Sequence, residues 1–254
     1  MTDRPRLQAP DVIAFDCYRT LLQNNPSDWE VMFDAIVDAQ QLGIRGGELW
    51  TRWKAHEVKF RATRLSRGPA GAPAFKTYRT AWSECFEAAF AETDTRGVGD
   101  ASNAAQRCID HMARRLAFHE TIGALQLLAG KVRLAVLSNA DDDFLLPAIA
   151  RLPVKFEAVI SSEACQTYKP DLAVFNALGT RTGAASDRIW YVGDHLNEDV
   201  RGSTAAGMTS IWVNRPGGET YYAGQVGVAG DAPKPHAEVA DLLGVASLFQ
   251  VSTR

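Results

Sequence analysis

The side chains of this sequence that could do chemistry lie where apolar runs end. The apolar run at residues 11–16 ends on Asp16, and an aspartate can act as a nucleophile when a nearby cation keeps it ionised. Three later runs are followed by further polar side chains, namely Ser138, Asn139, Lys169, Asp194 and Asp199. Taken singly, such residues have structural explanations as helix caps, turn residues or solvated charges. Because every group follows a predicted strand, we expect them to form one site around Asp16.

Predicted strands and helices alternate from residue 118 onward, and this alternation indicates where the site lies. Apolar segments predict strands at 11–16, 133–138, 157–162, 188–193 and 209–214. Helical patterns occupy 120–129, 141–151, 171–182, 198–207 and 239–249. Such alternation is typical of an α/β fold with a Rossmann-like, doubly wound parallel sheet covered on both faces. Ligands bind beyond the carboxyl ends of the strands in such a sheet, which is where the polar residues fall.

The stretch between the first two strands, residues 23–117, is predicted to be almost entirely helical. Ser27 and Glu30 have the spacing of a capping box, and apolar residues recur at helical spacing in four segments that follow. A connection of roughly 95 residues is far longer than an ordinary loop. We therefore predict a helical domain at 23–117, inserted into a core that residues 1–22 and 118–254 form.

Composition narrows the class of protein. The 254 residues are 46% hydrophobic and 22% charged, with a net charge of −3, which is typical of a globular protein. The absence of a basic stripe and of a long uncharged apolar run argues against nucleic-acid and membrane partners. The N-terminus lacks the apolar core of a signal peptide, and the four cysteines are far apart in sequence. We expect a cytoplasmic protein without zinc or disulfides, in which Cys17 packs rather than reacts.

Four segments resemble, in order, the four motifs of the haloacid dehalogenase (HAD) superfamily of hydrolases: DCYRTLL, LSNA, YKP and VGDHLNED. The resemblance covers nearly the whole chain, and the helical insertion resembles the family's cap domain. It implies a HAD-like core in which Asp16 attacks the substrate and carries a covalent ester. Thr20 and Ser138 would orient Asp16 or bind a substrate oxyanion, and Lys169 would keep Asp16 ionised.

The resemblance divides between two branches of the superfamily. Phosphatases of the family usually carry a second aspartate, the general acid, where this chain has Tyr18, and L-2-haloacid dehalogenases resemble the sequence found here. The fourth motif favours the phosphatase branch instead, because dehalogenases usually have a serine in place of Asp194. Two carboxylates beside Asp16 would repel it unless a cation binds, and oxygen ligands suit Mg²⁺. The resemblance thus implies a Mg²⁺ site assigned to Asp16, Tyr18, Asp194 and Asp199.

Other positions also bear on the substrate. Asn139 matches the pair of residues that helps to cradle halide in dehalogenases, whereas Phe175 replaces their usual tyrosine. Arg52, in ELWTRW, is either their halide-binding arginine or an exposed helix charge. Arg19 replaces a common glycine, and its cation could reach a phosphate or carboxylate or fold back onto the cap. We assign Tyr18, Arg19 and Arg52 to substrate binding.

These observations favour a Mg²⁺-dependent hydrolase of small phosphate monoesters. Without an aspartate at position 18 the leaving group lacks its usual acid, which commonly contributes ~10²–10⁴-fold in rate, so slow turnover or good leaving groups are expected. One alternative is a metal-independent 2-haloacid dehalogenase, and a second is a catalytically weak ligand-binding or regulatory protein. The expected partner is a small anionic substrate, and the helical cap offers a surface for a homodimer.

Overall fold

The computed structural model describes residues 7–65, 73–93, 95, 97–216 and 234–253. Its centre is a parallel sheet with the strand order β3-β2-β1-β4-β5-β6. The strands are β1 (Val12–Phe15), β2 (Arg133–Ser138), β3 (Ala158–Ser161), β4 (Ile189–Gly193), β5 (Thr209–Val213) and β6 (Ala237–Val239). The chain builds the sheet outward from β1, first to β3 on one side and then to β6 on the other. This is the α/β fold that the sequence predicts.

Helices connect the strands and form the insertion. They are α1 (Pro26–Gln40), α2 (Gly46–Thr63), α3 (Tyr78–Glu92), α4 (Ala101–Met112), α5 (Thr121–Leu128), α6 (Asp142–Ala150), α7 (Ser162–Cys165), α8 (Leu172–Thr182), α9 (Gly202–Ala205) and α10 (Leu242–Ser252). A 3₁₀ turn at Ser186–Arg188 precedes β4, and a π-helical segment at Leu196–Arg201 precedes α9. Among the described residues, no helix combines the length and apolarity that crossing a membrane requires.

Two local predictions were wrong. The first helix begins at Pro26, where its fixed φ suits the first helical position, and the capping box joins Asn25 and Asp28 rather than Ser27 and Glu30. The edge strand β6 was missed, since three residues are too few to show strand periodicity. The closing helix consequently begins at Leu242, with the Asp241 side chain accepting a hydrogen bond from the backbone N–H of Gly244.

The structure divides into two compact units. The first comprises 1–23, 116–139 and 151–254, and the second comprises 24–115 and 140–150. The sequence-based insertion at 23–117 differs from the segment 24–115 by one or two residues at each end, and α6 also groups with the inserted helices. Phe144 of α6 stacks on Trp82 of α3, with ring centroids 5.6 Å apart, and the Asp141 carboxylate accepts hydrogen bonds from two backbone N–H groups at the start of α3. These contacts are long-range in sequence and leave no local pattern.

The first unit is centred on β1, whose four residues are fully buried. Phe15 aligns with Val136 of β2 and with Val192 of β4, so the residues that follow these strands lie at one edge of the sheet. Cys17 is also fully buried, and burial raises the pKa of its thiol. This confirms the prediction that Cys17 packs in the core.

Candidate active site

Asp16 lies at the centre of a polar cluster at the carboxyl edge of the sheet. Its backbone N–H donates to the carbonyl of Val192 on β4 (2.8 Å), which fixes the residue just beyond β1. The Ser138 hydroxyl, at the end of β2, donates to Asp16 Oδ1 (2.9 Å). Burial raises the pKa of Asp16, while the Lys169 ammonium and the Ser138 hydroxyl act in the opposite direction by stabilising the carboxylate.

Lys169 supplies the cation of this cluster. Its Nζ lies 2.7 Å from Asp16 Oδ1 and 2.6 Å from Asp199 Oδ1. The side chain is only 2% exposed. Burial by itself lowers the pKa of Lys169, but attraction to the two carboxylates outweighs burial and holds the pKa well above its ordinary value. Lys169 is therefore charged at neutral pH, and its ammonium favours the ionised form of the Asp16 carboxyl group.

The two hydrogen bonds to Asp16 fall on the same oxygen. Ser138 and Lys169 both donate to Oδ1, and no described residue donates to Oδ2. A carboxylate held in this way has one fixed oxygen and one that can attack an electrophile or bind a cation.

Asp194 brings a second carboxylate to the cluster from the end of β4. Thr20 Oγ1 donates to its Oδ1 (3.2 Å), and Arg19 Nε donates to its Oδ2 (3.3 Å). Burial, followed by repulsion from Asp16 and Asp199, raises the pKa of Asp194 well above its ordinary value, and Arg19 offsets only part of this.

Asp16, Asp194 and Asp199 are all buried and offer carboxylate oxygens within 4.8 Å of one another. Three converging carboxylates are a donor set that suits a hard divalent cation such as Mg²⁺, so the residues present fit that ion. Asp199 also has a structural role. Its Oδ1 accepts a hydrogen bond from Lys169 Nζ, and its Oδ2 accepts one from the backbone N–H of His195 (2.9 Å).

Asn139 holds the segment that carries Lys169. Its Nδ2 donates to the backbone carbonyl of Lys169 (3.2 Å) and to Glu198 Oε2 (3.0 Å), while its Oδ1 accepts from the backbone N–H of Lys169 (2.8 Å). Two of these hydrogen bonds fix the backbone of Lys169, and the third joins Asn139 to Glu198. Contact between Asn139 and a substrate halide stays a prediction.

Of the predicted substrate residues, Arg19 lies in the cluster. Arg19 contacts Asp194 directly. Tyr18 is half-buried and forms a backbone bridge with Leu22 in the turn after β1. Arg52 lies on α2 in the second unit, where its Nη2 is 3.3 Å from Glu48 Oε1. The assignments of Tyr18 and Arg52 to substrate, and of Tyr18 to a metal, stay predictions.

Tyr191 is a member of the cluster that sequence reasoning missed. Its hydroxyl accepts a hydrogen bond from Lys169 Nζ (3.0 Å) and donates one to the carbonyl of Leu137 (2.7 Å). Its ring packs edge-on against Phe175, with centroids 5.2 Å apart. A tyrosine inside an otherwise apolar buried strand needs a partner for its hydroxyl. Because Tyr191 lies only three residues before Asp194, that partner could be sought in the site.

We expect Tyr191→Phe to lower kcat by about tenfold or more, since one hydrogen bond to a charged group such as the Lys169 ammonium is worth about 1.5–3 kcal/mol. KM should stay nearly unchanged, because the hydroxyl contacts Lys169 and not the substrate. Steady-state kinetics on whichever substrate the wild type turns over would measure both constants. A kcat equal to that of the wild type would show that Tyr191 only fills space.

Comparison with known proteins places this geometry in a family. The model of the haloacid dehalogenase-like hydrolase family matches residues 82–213, which is more than half of the chain. The haloacetate dehalogenase H-2 of Moraxella sp. (strain B) is 25% identical over 82% of this chain and 87% of its own length. The glyceraldehyde 3-phosphate phosphatase of Methanothermobacter thermautotrophicus is 34% identical, but over only 32% of this chain and 37% of its own length.

A solved structure supports the same fold. A defluorinating L-2-haloacid dehalogenase superposes with a TM-score of 0.72 at 16% identity, covering 96% of this chain and 99% of that chain. Together with the family match, which includes the segments that carry Ser138, Lys169 and Asp194, these findings identify the chain as an enzyme of the haloacid dehalogenase-like hydrolase family.

Proposed function

We propose that this hydrolase is a Mg²⁺-dependent phosphatase that acts on a small phosphate monoester. The observation that carries the proposal is the third carboxylate of the cluster, Asp194, buried beside Asp16 and Asp199. Among the described residues, Lys169 and Arg19 bring two cations to a cluster of three carboxyl groups, and the repulsion that raises the pKa of Asp194 is what a bound divalent cation would relieve. A dianionic phosphate would be repelled from such a site unless a divalent cation is bound there.

In the proposed reaction Asp16 attacks the phosphorus atom of the monoester. A bond forms between a carboxylate oxygen and phosphorus, the bond from phosphorus to the ester oxygen breaks, and the alcohol leaves with a proton taken from solvent. Water then attacks the aspartyl phosphate, releasing inorganic phosphate and restoring Asp16. Lys169 stabilises the charge on Asp16 before attack and again once water has released inorganic phosphate. The Ser138 hydroxyl keeps the carboxylate oriented.

Asp16 and Asp194, with support from Asp199, would hold the metal. When bound, Mg²⁺ would supply Lewis-acid stabilisation of the phosphoryl oxygens. The leaving group receives no carboxylic proton from position 18, where Tyr18 stands. We therefore expect the enzyme to favour esters whose alcohols are good leaving groups, such as phenols.

Hydrolysis of p-nitrophenyl phosphate should depend on Mg²⁺. We expect EDTA to reduce the rate by ~10²-fold or more, and Mg²⁺ to restore it, because Lewis-acid stabilisation is worth several kcal/mol. Asp194→Asn should lose activity to a similar extent. The matched control is Asp187→Asn, which removes an exposed carboxylate of the same unit and should behave as the wild type. Hydrolysis that EDTA leaves intact would contradict the metal-dependent mechanism.

A second candidate function is metal-independent dehalogenation of a 2-haloacid. Two observations favour it: Tyr18 occupies the general-acid position, and the Arg19 guanidinium already neutralises part of the charge on Asp194. Asp16 would displace halide from carbon, and water would then hydrolyse the aspartyl ester to a hydroxy acid. Chloride release from 2-chloropropionate in the presence of EDTA would support this reaction. If neither substrate class is turned over with any metal, the ligand-binding alternative gains weight.

A further inference from the structure

We propose that Arg19 acts as a tethered cation that competes with a divalent metal ion for Asp194 and so weakens metal binding at the active site. This inference rests on the proposed function, since it concerns the same carboxylates. It assigns a role to a residue that the proposed reaction does not use.

The backbone of Arg19 is the first observation. Its φ of 71° lies in the left-handed region, which glycine adopts readily and which costs other residues about 1–3 kcal/mol. An arginine in this conformation persists only where its surroundings hold it there. The sequence therefore places a strained and charged residue where a glycine would fit without strain.

Hydrogen bonds on both sides hold this conformation. The N–H of Arg19 donates to the carbonyl of Leu22, and the carbonyl of Arg19 accepts from Arg215 Nε (3.2 Å). Arg215 Nη2 also donates to the carbonyl of Thr20 (2.9 Å). Arg215 is itself fixed by an ion pair with Glu120 (2.7 Å) and by stacking on Phe118. These contacts fix the backbone of the turn after β1, and they therefore fix the position of the Arg19 Cα from which its side chain extends.

The side chain of Arg19 ends at the candidate metal ligand. Its Nε lies 3.3 Å from Asp194 Oδ2, and the side chains are 14% and 8% exposed. Thr20 occupies the other oxygen, Oδ1, so both oxygens of Asp194 accept a hydrogen bond. Charge-assisted pairs of this kind are stronger where water is excluded.

A metal ion that binds Asp194 must share the carboxylate with the guanidinium or displace it. Either course weakens binding, through repulsion between two cations or through loss of the Arg19–Asp194 pair. Charge-assisted hydrogen bonds contribute enough to change an affinity by about 10–100-fold. The metal affinity of the wild type is therefore expected to be low for a site with this many carboxylates.

Calorimetric titration of the full chain with MgCl₂ tests the inference without any substrate. Arg19→Met removes the charge and keeps the bulk, while Arg19→Gly removes both and suits the left-handed backbone. Both variants should bind Mg²⁺ about tenfold more tightly than the wild type. Arg19→Lys keeps the charge and should stay near the wild type. Arg201→Met removes an exposed charge of the same unit and controls for a general electrostatic effect. Thermal unfolding in EDTA checks that each variant is folded.

The outcomes separate this inference from the proposed function. Tighter binding in Arg19→Met and Arg19→Gly, with measurable binding in the wild type, supports both. If only the two variants bind Mg²⁺, the competition is supported and a Mg²⁺-dependent wild-type phosphatase is contradicted. Equal affinity in the wild type and both variants overturns the role of Arg19 and leaves the metal site standing. If no protein binds Mg²⁺, both proposals are overturned.

Discussion

Asp16→Asn is expected to abolish turnover of phosphate monoesters and of 2-haloacids, with a loss of about 10⁴-fold or more. The carboxylate is the nucleophile in both proposed reactions, and an amide cannot form the covalent ester. The amide oxygen can still accept the Ser138 hydrogen bond, so the site should keep its structure. The rate of p-nitrophenol release with Mg²⁺ and the rate of chloride release with EDTA would measure the two activities.

The control for this variant is again Asp187→Asn, which removes the same charge from the surface of the same unit. It should retain the full rate on the active substrate class. Thermal unfolding of Asp16→Asn separates loss of chemistry from loss of folding. A variant that keeps more than about a hundredth of the wild-type rate, at a Tm close to that of the wild type, would exclude Asp16 as the nucleophile.

Lys169→Met is expected to lower both activity and stability. It leaves Asp16 and Asp199 buried without their shared cation, and breaking a buried ion pair in this way costs about 3–5 kcal/mol. For a chain of this length such a loss corresponds to a Tm lower by about 10 °C. The rate should fall by ~10²–10³-fold, because the charge that holds and stabilises the nucleophile is gone.

The pH dependence of that stability loss has a definite sign. The pKa of Lys169 is raised in the folded state, so its stabilisation is present at neutral pH and is lost only as pH rises through the folded pKa. In the variant, the ammonium no longer opposes the effect of burial, which raises the pKa of Asp16, so the folded state regains stability as pH falls and Asp16 binds a proton. The difference in the free energy of unfolding between the variant and the wild type should thus be larger at about pH 8 than at about pH 5.

Denaturant unfolding in EDTA at the two pH values would measure this difference. Lys131→Met, which removes an exposed lysine of the same unit, is the matched control and should change stability by less than about 0.5 kcal/mol. A free energy of unfolding for Lys169→Met within about 1 kcal/mol of the wild-type value at the higher pH would contradict this prediction. It would show that the contacts of Lys169 with Asp16 and Asp199 contribute little to stability.

The sheet and the position of Asp16 at its carboxyl edge could be predicted because their signals are local. An apolar run that ends on a carboxylate marks β1 and Asp16, and β4 repeats the pattern with Asp194. The predicted strands agree with the first five strands of the structure, and the helices before and after β2 agree within one or two residues. Parallel pairing then brings these residues together at one edge without further information.

The contacts that distinguish this site were not predictable, since each depends on geometry that residue type does not encode. The contact between Arg19 and Asp194 requires a left-handed backbone that arginine seldom adopts. The role of Tyr191 depends on which face of β4 it occupies, and an uninterrupted apolar run does not reveal this. The grouping of α6 with the inserted helices depends on Phe144 and Trp82, which are distant in sequence.

The pair of hydrogen bonds on Asp16 Oδ1 makes the two oxygens of this carboxylate inequivalent. In a free carboxylate these oxygens exchange places by rotation, and either can react. Here rotation would break the bonds from both Ser138 and Lys169, at a cost of about 1.5–3 kcal/mol for each charged bond. At any moment the two donors hold one oxygen, and the other oxygen is the one presented to the substrate. In the proposed reaction the covalent intermediate would therefore form in one orientation, so the fold around a symmetric carboxylate sets the direction of attack.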